Sequence, residues 1–266
     1  MSNALIVKPS DIASVTASGT ASGYDPAYVG NDHMGVVWKS DVGASKSFTV
    51  DLGADVLCDT AMLLGCTGAT SGWTLKVDAN TAAYGASFTT PQWSGATLPF
   101  LAGAEMPVNG RGNALWQAPV SPPPASRYWR FTIAGMGGGG QAVVARLVLG
   151  PNLLLERNFS YGAQFGVKDF GSIKFSRRGV MLRQRGSKLR SLNMSLNTVR
   201  KNEIEALVLP LLERIGNTEG LAILTDPDAH AMRQRRMYFG PLIGDLLTIM
   251  RTADGYSAGL NLLSLI

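Results

Sequence analysis

A chain of 266 residues, 45% hydrophobic and only 16% charged, has apolar surface enough for two ordinary domains and excludes wholesale disorder. No stretch approaches the ~20 apolar residues of a membrane-spanning helix; the opening apolar run breaks at Lys8 with no basic stretch before it, so no secretory leader is expected. The net charge of +5 is uneven: residues 1–150 hold 8 Lys/Arg against 9 Asp/Glu, and residues 151–266 hold 16 against 10, as two units with different surroundings would.

The first half reads as strands and turns. KSFTVDLG alternates and then turns at Leu52–Gly53, and DTAMLLGCTG is an apolar run short enough for a buried sandwich strand. GWTLKVDAN places Trp73, Leu75 and Val77 on one face, and RYWRFTIAG sets Trp129, Phe131 and Ile133 against Tyr128, Arg130 and Thr132. QAVVARLVLG closes the set, and Gly-Pro-Asn after it marks a linker near Gly150–Arg157. All five tryptophans precede that linker, so the expected domains are residues 1–152 and 153–266. Between strands runs a long Gly/Pro/aromatic region from Tyr84 to Pro124. Cys58 and Cys66 lack the spacing of a zinc site; free, buried thiols of a protein made in a reducing cytoplasm are expected, with a disulfide as the alternative.

The second half reads as α+β. GVMLRQRGSKLRSLNMSLNTV gives two strands around Arg185–Lys188, a basic hairpin. RKNEIEALVLPLLERIGN is the one helix, with Asn202 placed to cap it, Glu203 and Glu205 in its first turn, Pro210 expected to kink or break it and Gly216–Asn217 ending it. GLAILTD, RRMYFGPLI, LLTIMRT and YSAGLNLLSLI are four further strands.

Three segments in order carry a resemblance. VWKS (37–40) follows the polar loop YDPAYVGND, SFTVDLG (47–53) is an aromatic-x-x-VDLG strand, and RYWRFTIAG with VVARLVLG closes at 150. Together they resemble the discoidin-like, galactose-binding-like domains, which implies a jelly-roll β-sandwich over half the chain, without that family's frequent disulfide. The span from SIKFSRRG through RRMYFGPLIGD is similar in layout to the tail-tube and distal-tail hub proteins of long-tailed bacteriophages. That likeness implies a β-barrel packing one helix, subunits forming rings, and a virion tail assembled in the bacterial cytoplasm. Tube, hub and tape-measure proteins would be its partners, with DNA present only in transit. Distal-tail proteins usually place the hub first, and this chain reverses the order.

No catalytic site is expected: the two histidines, His33 and His230, are far apart, and GxSxG, HExxH and Walker patterns are absent. Gly135-x-Gly137-x-x-Gly140 precedes a strand rather than the helix a dinucleotide site needs, so it reads as a hairpin tip. Asp226-x-Asp228-x-His230 contains Pro227 and reads as a turn. Asp25, Asn31 and Asp32 form an oxygen-rich loop where some discoidin-like domains hold Ca²⁺; turn chemistry is the preferred reading, and no cofactor is expected. Trp93 and Trp116, with Gln92, Asn109 and Arg111 nearby, are the candidate sugar-binding residues, core filling being the competing role. From Lys174 to Lys201 there are nine basic residues and no acid. Arg183, Arg185, Lys188 and Arg190 are accordingly the candidate subunit-assembly residues, with nucleic-acid binding as the alternative. The functional expectation is a non-enzymatic, ring-forming tail component with a possible carbohydrate-binding accessory domain; the alternative is a glycan-recognition protein for host-surface attachment.

Overall fold

A computed structural model describes residues 3–266, the side chain of Thr198 excepted. The chain is mainly β, with twenty strands among the described residues: β1 Leu5–Val7, β2 Ser14–Ala17, β3 Trp38–Lys39, β4 Ser45–Val56, β5 Thr60–Thr67, β6 Thr74–Asn80, β7 Trp93–Ser94, β8 Leu98–Pro99, β9 Arg111–Gln117, β10 Ser126–Ala134, β11 Val143–Val144, β12 Arg146–Gly150, β13 Gln164–Asp169, β14 Ser172–Phe175, β15 Met181–Gln184, β16 Lys188–Arg200, β17 Gly220–Leu224, β18 Met237–Pro241, β19 Thr248–Thr252 and β20 Gly255–Ser264.

Two compact units divide it. The first comprises Met1–Leu154 with Ala222–Met237, and the second Leu155–Leu221 with Tyr238–Ile266. The chain leaves the first unit near the junction expected at residue 152, and residues 222–237 belong to that unit as well. The reason is pairing, since β1 takes β17 as its antiparallel partner in the register Leu5↔Leu224, Ile6↔Ile223, Val7↔Ala222.

The first unit is a β-sandwich. One sheet runs β2-β4-β10-β6-β7, with β8 also on β6, and the other runs β12-β5-β9. Alternation along β10 buries Trp129, Phe131 and Ile133, and β6 buries Leu75 and Val77 beside Trp73. These meet Phe48 and Val50 of β4 and Leu63, Trp116 and Leu147 of the facing sheet in one core. The expected turn at Leu52–Gly53 is a bulge: Gly53 takes φ 77°, its N–H meets the Asp51 carboxylate at 2.7 Å, and β4 continues to Val56. The Gly-rich loop is no hairpin tip, because β10 and β11 lie in different sheets; Gly140 N–H closes its turn on the Gly137 carbonyl (3.2 Å).

The second unit has the sheet order β13-β16-β20-β19, which is open; the expected barrel is not closed. Four strands are too few to close a barrel on themselves. Its one helix, α1 (residues 201–215), has Arg200 rather than Asn202 as its N-cap. Glu203 accepts the Arg200 N–H (3.1 Å) and the Glu156 N–H (2.7 Å), which satisfies the helix entrance from one carboxylate. Pro210 is absorbed without a break. A π turn at Ile204–Val208, with the Leu209 N–H on the Ile204 carbonyl, widens the helix ahead of the ring. Gly216 at φ 51° ends it. Ile204, Val208, Leu212 and Ile215 are buried, as are Leu192, Met194 and Leu196 of β16 and Ala258, Leu260 and Leu262 of β20.

Candidate binding surfaces

The five residues picked out for sugar binding do not converge. Trp116 is 2% exposed and sits edge-on between Trp93 (5.8 Å) and Trp129 (5.7 Å). It is core, and its place in the sugar site is withdrawn. Trp93 is half-buried, and its indole N–H donates to the Ser121 carbonyl at 3.3 Å. Gln92 pins a loop: its side-chain carbonyl accepts from the Thr81 hydroxyl (2.9 Å) and N–H (3.2 Å). Asn109 and Arg111 lie at the opposite end of β9 from Trp116, about 16 Å along the strand at ~3.3 Å per residue.

That opposite end has polar groups of its own. Arg111 donates to the Met34 carbonyl at 3.3 Å, which brings it to the loop holding Asn31, Asp32 and His33. Asn109 accepts the Arg111 N–H at 3.0 Å, an Asx turn. Elsewhere on this unit the exposed Tyr24 ring lies under the Lys39 ammonium, 5.7 Å from its centroid. The oxygens once counted for Ca²⁺ have protein partners. Asp25 accepts the Ala27 N–H (2.8 Å), Asn31 the His33 N–H (2.8 Å), and Asp32 pairs with the buried Arg146 (3.0 Å). Burial lowers the pKa of the Arg146 guanidinium against the opposing pull of Asp32. Among the described residues no group of three or more His, Cys, Asp or Glu is placed to hold a metal. The 226–230 segment is likewise a turn, with the Asp228 N–H on Asp226 (3.1 Å) and the Met232 N–H on His230 Nδ1 (3.0 Å).

Both cysteines are free and buried. Desolvation pushes the Cys58 thiol up to about 12 and raises Cys66 further, so neither is a thiolate near neutral pH. At the sandwich edge, bidentate hydrogen bonds from Arg127 (2.7 and 2.9 Å) hold the Asp51 carboxyl below its ordinary value.

In the second unit the basic segment differs from the hairpin expected around Arg185–Lys188. β15 does not pair with β16; it pairs with β14, and β16 pairs with β13. The true tip is at residues 176–180, closed by the Ser176 N–H on the Val180 carbonyl (2.9 Å), with Gly179 at φ 77°. The result is one long antiparallel arm, β13 then β14 going out and β15 then β16 coming back. A jog joins its two parts, spanned by the Phe170 N–H on the Ser187 carbonyl at 3.0 Å. Gly186 belongs to this jog, where a Cβ would run into the Phe170–Gly171 backbone. Arg183, Arg185 and Lys188 line a recess of ≈ 680 Å³ there with Asp169. Lys188 pairs with Asp169 at 3.8 Å, and Arg190 lies over the Tyr238 ring at 4.1 Å.

Paired residues share a face of a ribbon. Ile173↔Arg183 and Phe175↔Met181 therefore put three large apolar side chains on one face of the outer arm. These three are between 52% and 69% exposed. The main sheet is also two-faced: Leu192, Met194 and Leu196 are buried, and Ser191, Asn193, Ser195 and Asn197 face the other way opposite Leu263, Asn261 and Gly259. That second face carries no charge from Ser191 to Asn197 on β16, and Lys168 and Arg200 stand at its two ends.

Arg235 and Arg236, expected to open a strand, instead end a short turn at Arg233–Arg236, and the strand begins at Met237. The Asn113 N–H donates to Gln234 Oε1 (2.8 Å), Gln234 Nε2 donates to the Gly103 carbonyl, and Arg235 Nε donates to the Met106 carbonyl (3.0 Å). Only the density of Arg and Gln in AMRQRR hinted at such a clasp.

No family model and no curated protein matches the chain. Solved structures similar to it include a Streptococcus pneumoniae fucose-binding module (13% identity, 54% of this chain and 94% of that one, TM-score 0.38). Another is chitosan-binding module 1 of a chitosanase/glucanase from Paenibacillus sp. IK-5 (15% identity, 53% and 98%, TM-score 0.38). A third is the lectin domain of Lectinolysin complexed with Lewis B antigen (13% identity, 51% and 90%, TM-score 0.36).

Proposed function

We propose that this chain is a non-catalytic structural component of a bacteriophage tail tip or distal tail, forming a ring through its second unit and carrying the sandwich as an accessory glycan-recognition module. The observation that carries the ring is the sheet β13-β16-β20-β19. It buries one face, presents on the other a polar face that is uncharged from Ser191 to Asn197 with Lys168 and Arg200 at its two ends, and leaves both edges without a strand partner among the described residues. Open edges on opposite sides of one sheet invite head-to-tail pairing between copies, and such heterologous contacts form a ring where the rotation between copies closes and a filament where it does not. A polar face with charge only at its ends suits the wall of a passage through which DNA moves without being held. The layout of the second half, already likened to tail-hub proteins, supports the same reading. Light scattering with negative-stain imaging of the purified protein tests it: closed rings of one size are expected, and a monomer at every concentration overturns it.

A second reading, glycan recognition as the main task, is favoured by the rim where Arg111 meets the loop of Asn31 and His33, because guanidinium, amide and imidazole groups there suit sugar hydroxyls. On a glycan array or on host cells, Arg111→Ala should abolish binding with little change in melting temperature, since this side chain is exposed. Undiminished binding by that variant would remove the rim from consideration.

A further inference from the structure

The outer arm exposes an apolar face that nothing in its own unit covers. A two-stranded ribbon is marginal alone in water, and burying Ile173, Phe175 and Met181 on a partner would stabilise it. A matching surface lies on the same unit. Beside and along the edge strand β19, Leu247 and Ile249 are 61% and 48% exposed, and Met250, on the other face of the strand, is 60% exposed. Charge agrees with shape. Lys174, Arg177, Arg178, Arg183 and Arg185 have no ion-pair partner among the described residues, and neither do Asp245 and Asp254, which flank β19. We propose that the arm of one copy docks by its Ile173–Phe175–Met181 face on the β19 edge of a second copy, with the arm's basic residues meeting Asp245 and Asp254.

The contact is between copies for a topological reason. The arm grows from β13 and β16, and β19 is the opposite edge strand of the sheet, beyond β20. Donor and acceptor thus sit on opposite sides of each copy, which makes the interface heterologous and able to repeat around an axis. The proposal rests on the ring reading and names the surface that forms the ring. Nucleic acid is the less suitable occupant: phosphates would use the basic residues but leave the apolar face in water.

The two native cysteines are buried and not ionised near neutral pH, so introduced thiols can be cross-linked selectively. Phe175→Cys and Ile249→Cys chains, mixed and treated with a short bis-maleimide, should give a covalent dimer at least about tenfold more abundant than either variant alone gives, as expected of a central contact. Phe175→Asp should lower the assembled fraction by about tenfold or more, with far-ultraviolet circular dichroism unchanged. Rings that form without the cross-link, and that survive Phe175→Asp, would overturn arm docking and leave the ring standing. Monomers throughout, with no cross-link, would overturn both. Tight DNA binding lost on Arg183→Glu, again without a cross-link, would assign the arm to nucleic acid instead.

Discussion

A chain ending at Leu154 is expected not to yield a stably folded sandwich, although it contains every strand of both sandwich sheets. Two kinds of contact are missing from it. The first is the partner of β1, whose residues Leu5, Ile6 and Val7 are buried and pair with residues 222–224. Exposing even two such side chains costs about 3–6 kcal/mol, at roughly 1.5–3 kcal/mol each. The second is the clasp. Without Gln234 the buried Asn113 N–H loses its acceptor (2.8 Å), which costs about 1–3 kcal/mol, and the Glu105 N–H loses the Ala231 carbonyl (2.9 Å). Against a usual total of about 5–15 kcal/mol, the sum removes much of the margin. Restoring the segment should restore the fold. The Leu153 N–H bonds the Ile6 carbonyl at 2.8 Å on one side of β1 while Ile223 pairs with Ile6 on the other. A flexible linker of about ten Gly/Ser residues, with a root-mean-square span of about 17 Å, can therefore join 154 to 220. Urea unfolding decides the matter. The linked chain should show a cooperative transition and the truncated chain a weakened one or none, and equal midpoints would sink the idea.

The same geometry explains which parts of the molecule could be read from residues alone. Local periodicity was enough for β10, where Trp129, Phe131 and Ile133 alternate with half-exposed neighbours, and for the helix, whose apolar spacing survives the π turn. β9 was lost inside the Gly/Pro-rich region, because burial is continuous from Gly112 to Trp116 and includes a polar Asn113. Asn113 is satisfied by a residue 121 positions away, a relation no window of sequence contains. The arm was misplaced for a different reason. Gly186–Ser187 resembles a turn, yet Gly186 is there for a close cross-strand approach, and the actual tip has Gly179 at positive φ. The barrel was over-read because closure is a property of strand number and of neighbouring copies, neither of which hydropathy alternation specifies. The candidate sugar residues are divided between the two ends of β9, a separation that proximity in sequence does not reveal.

Trp116→Ala should be among the most destabilising single substitutions in the sandwich, by about 3–5 kcal/mol, the range for truncating a fully buried tryptophan. The side chain projects from β9 into the core with edge-on contacts to Trp93 (interplanar 75°) and Trp129 (66°), and each such pair adds about 0.5–1.5 kcal/mol beyond area burial. Ala cannot refill the space, because the surrounding Trp129, Phe131 and Leu63 are held by strands whose registers are fixed on both sides. For a unit of this size the melting temperature should fall by roughly 10 °C, at about 2–4 °C per kcal/mol. Trp93→Ala is the control, half-buried at the margin of the same cluster, and should cost about 1–2 kcal/mol. Trp116→Phe, which keeps an aromatic ring in the core, should recover most of the loss. Denaturant melts of the three variants beside the native chain measure all of this at once. If Trp116→Ala melts with the native protein while glycan binding disappears, the residue is a ligand platform after all, and the core assignment made from its burial is wrong.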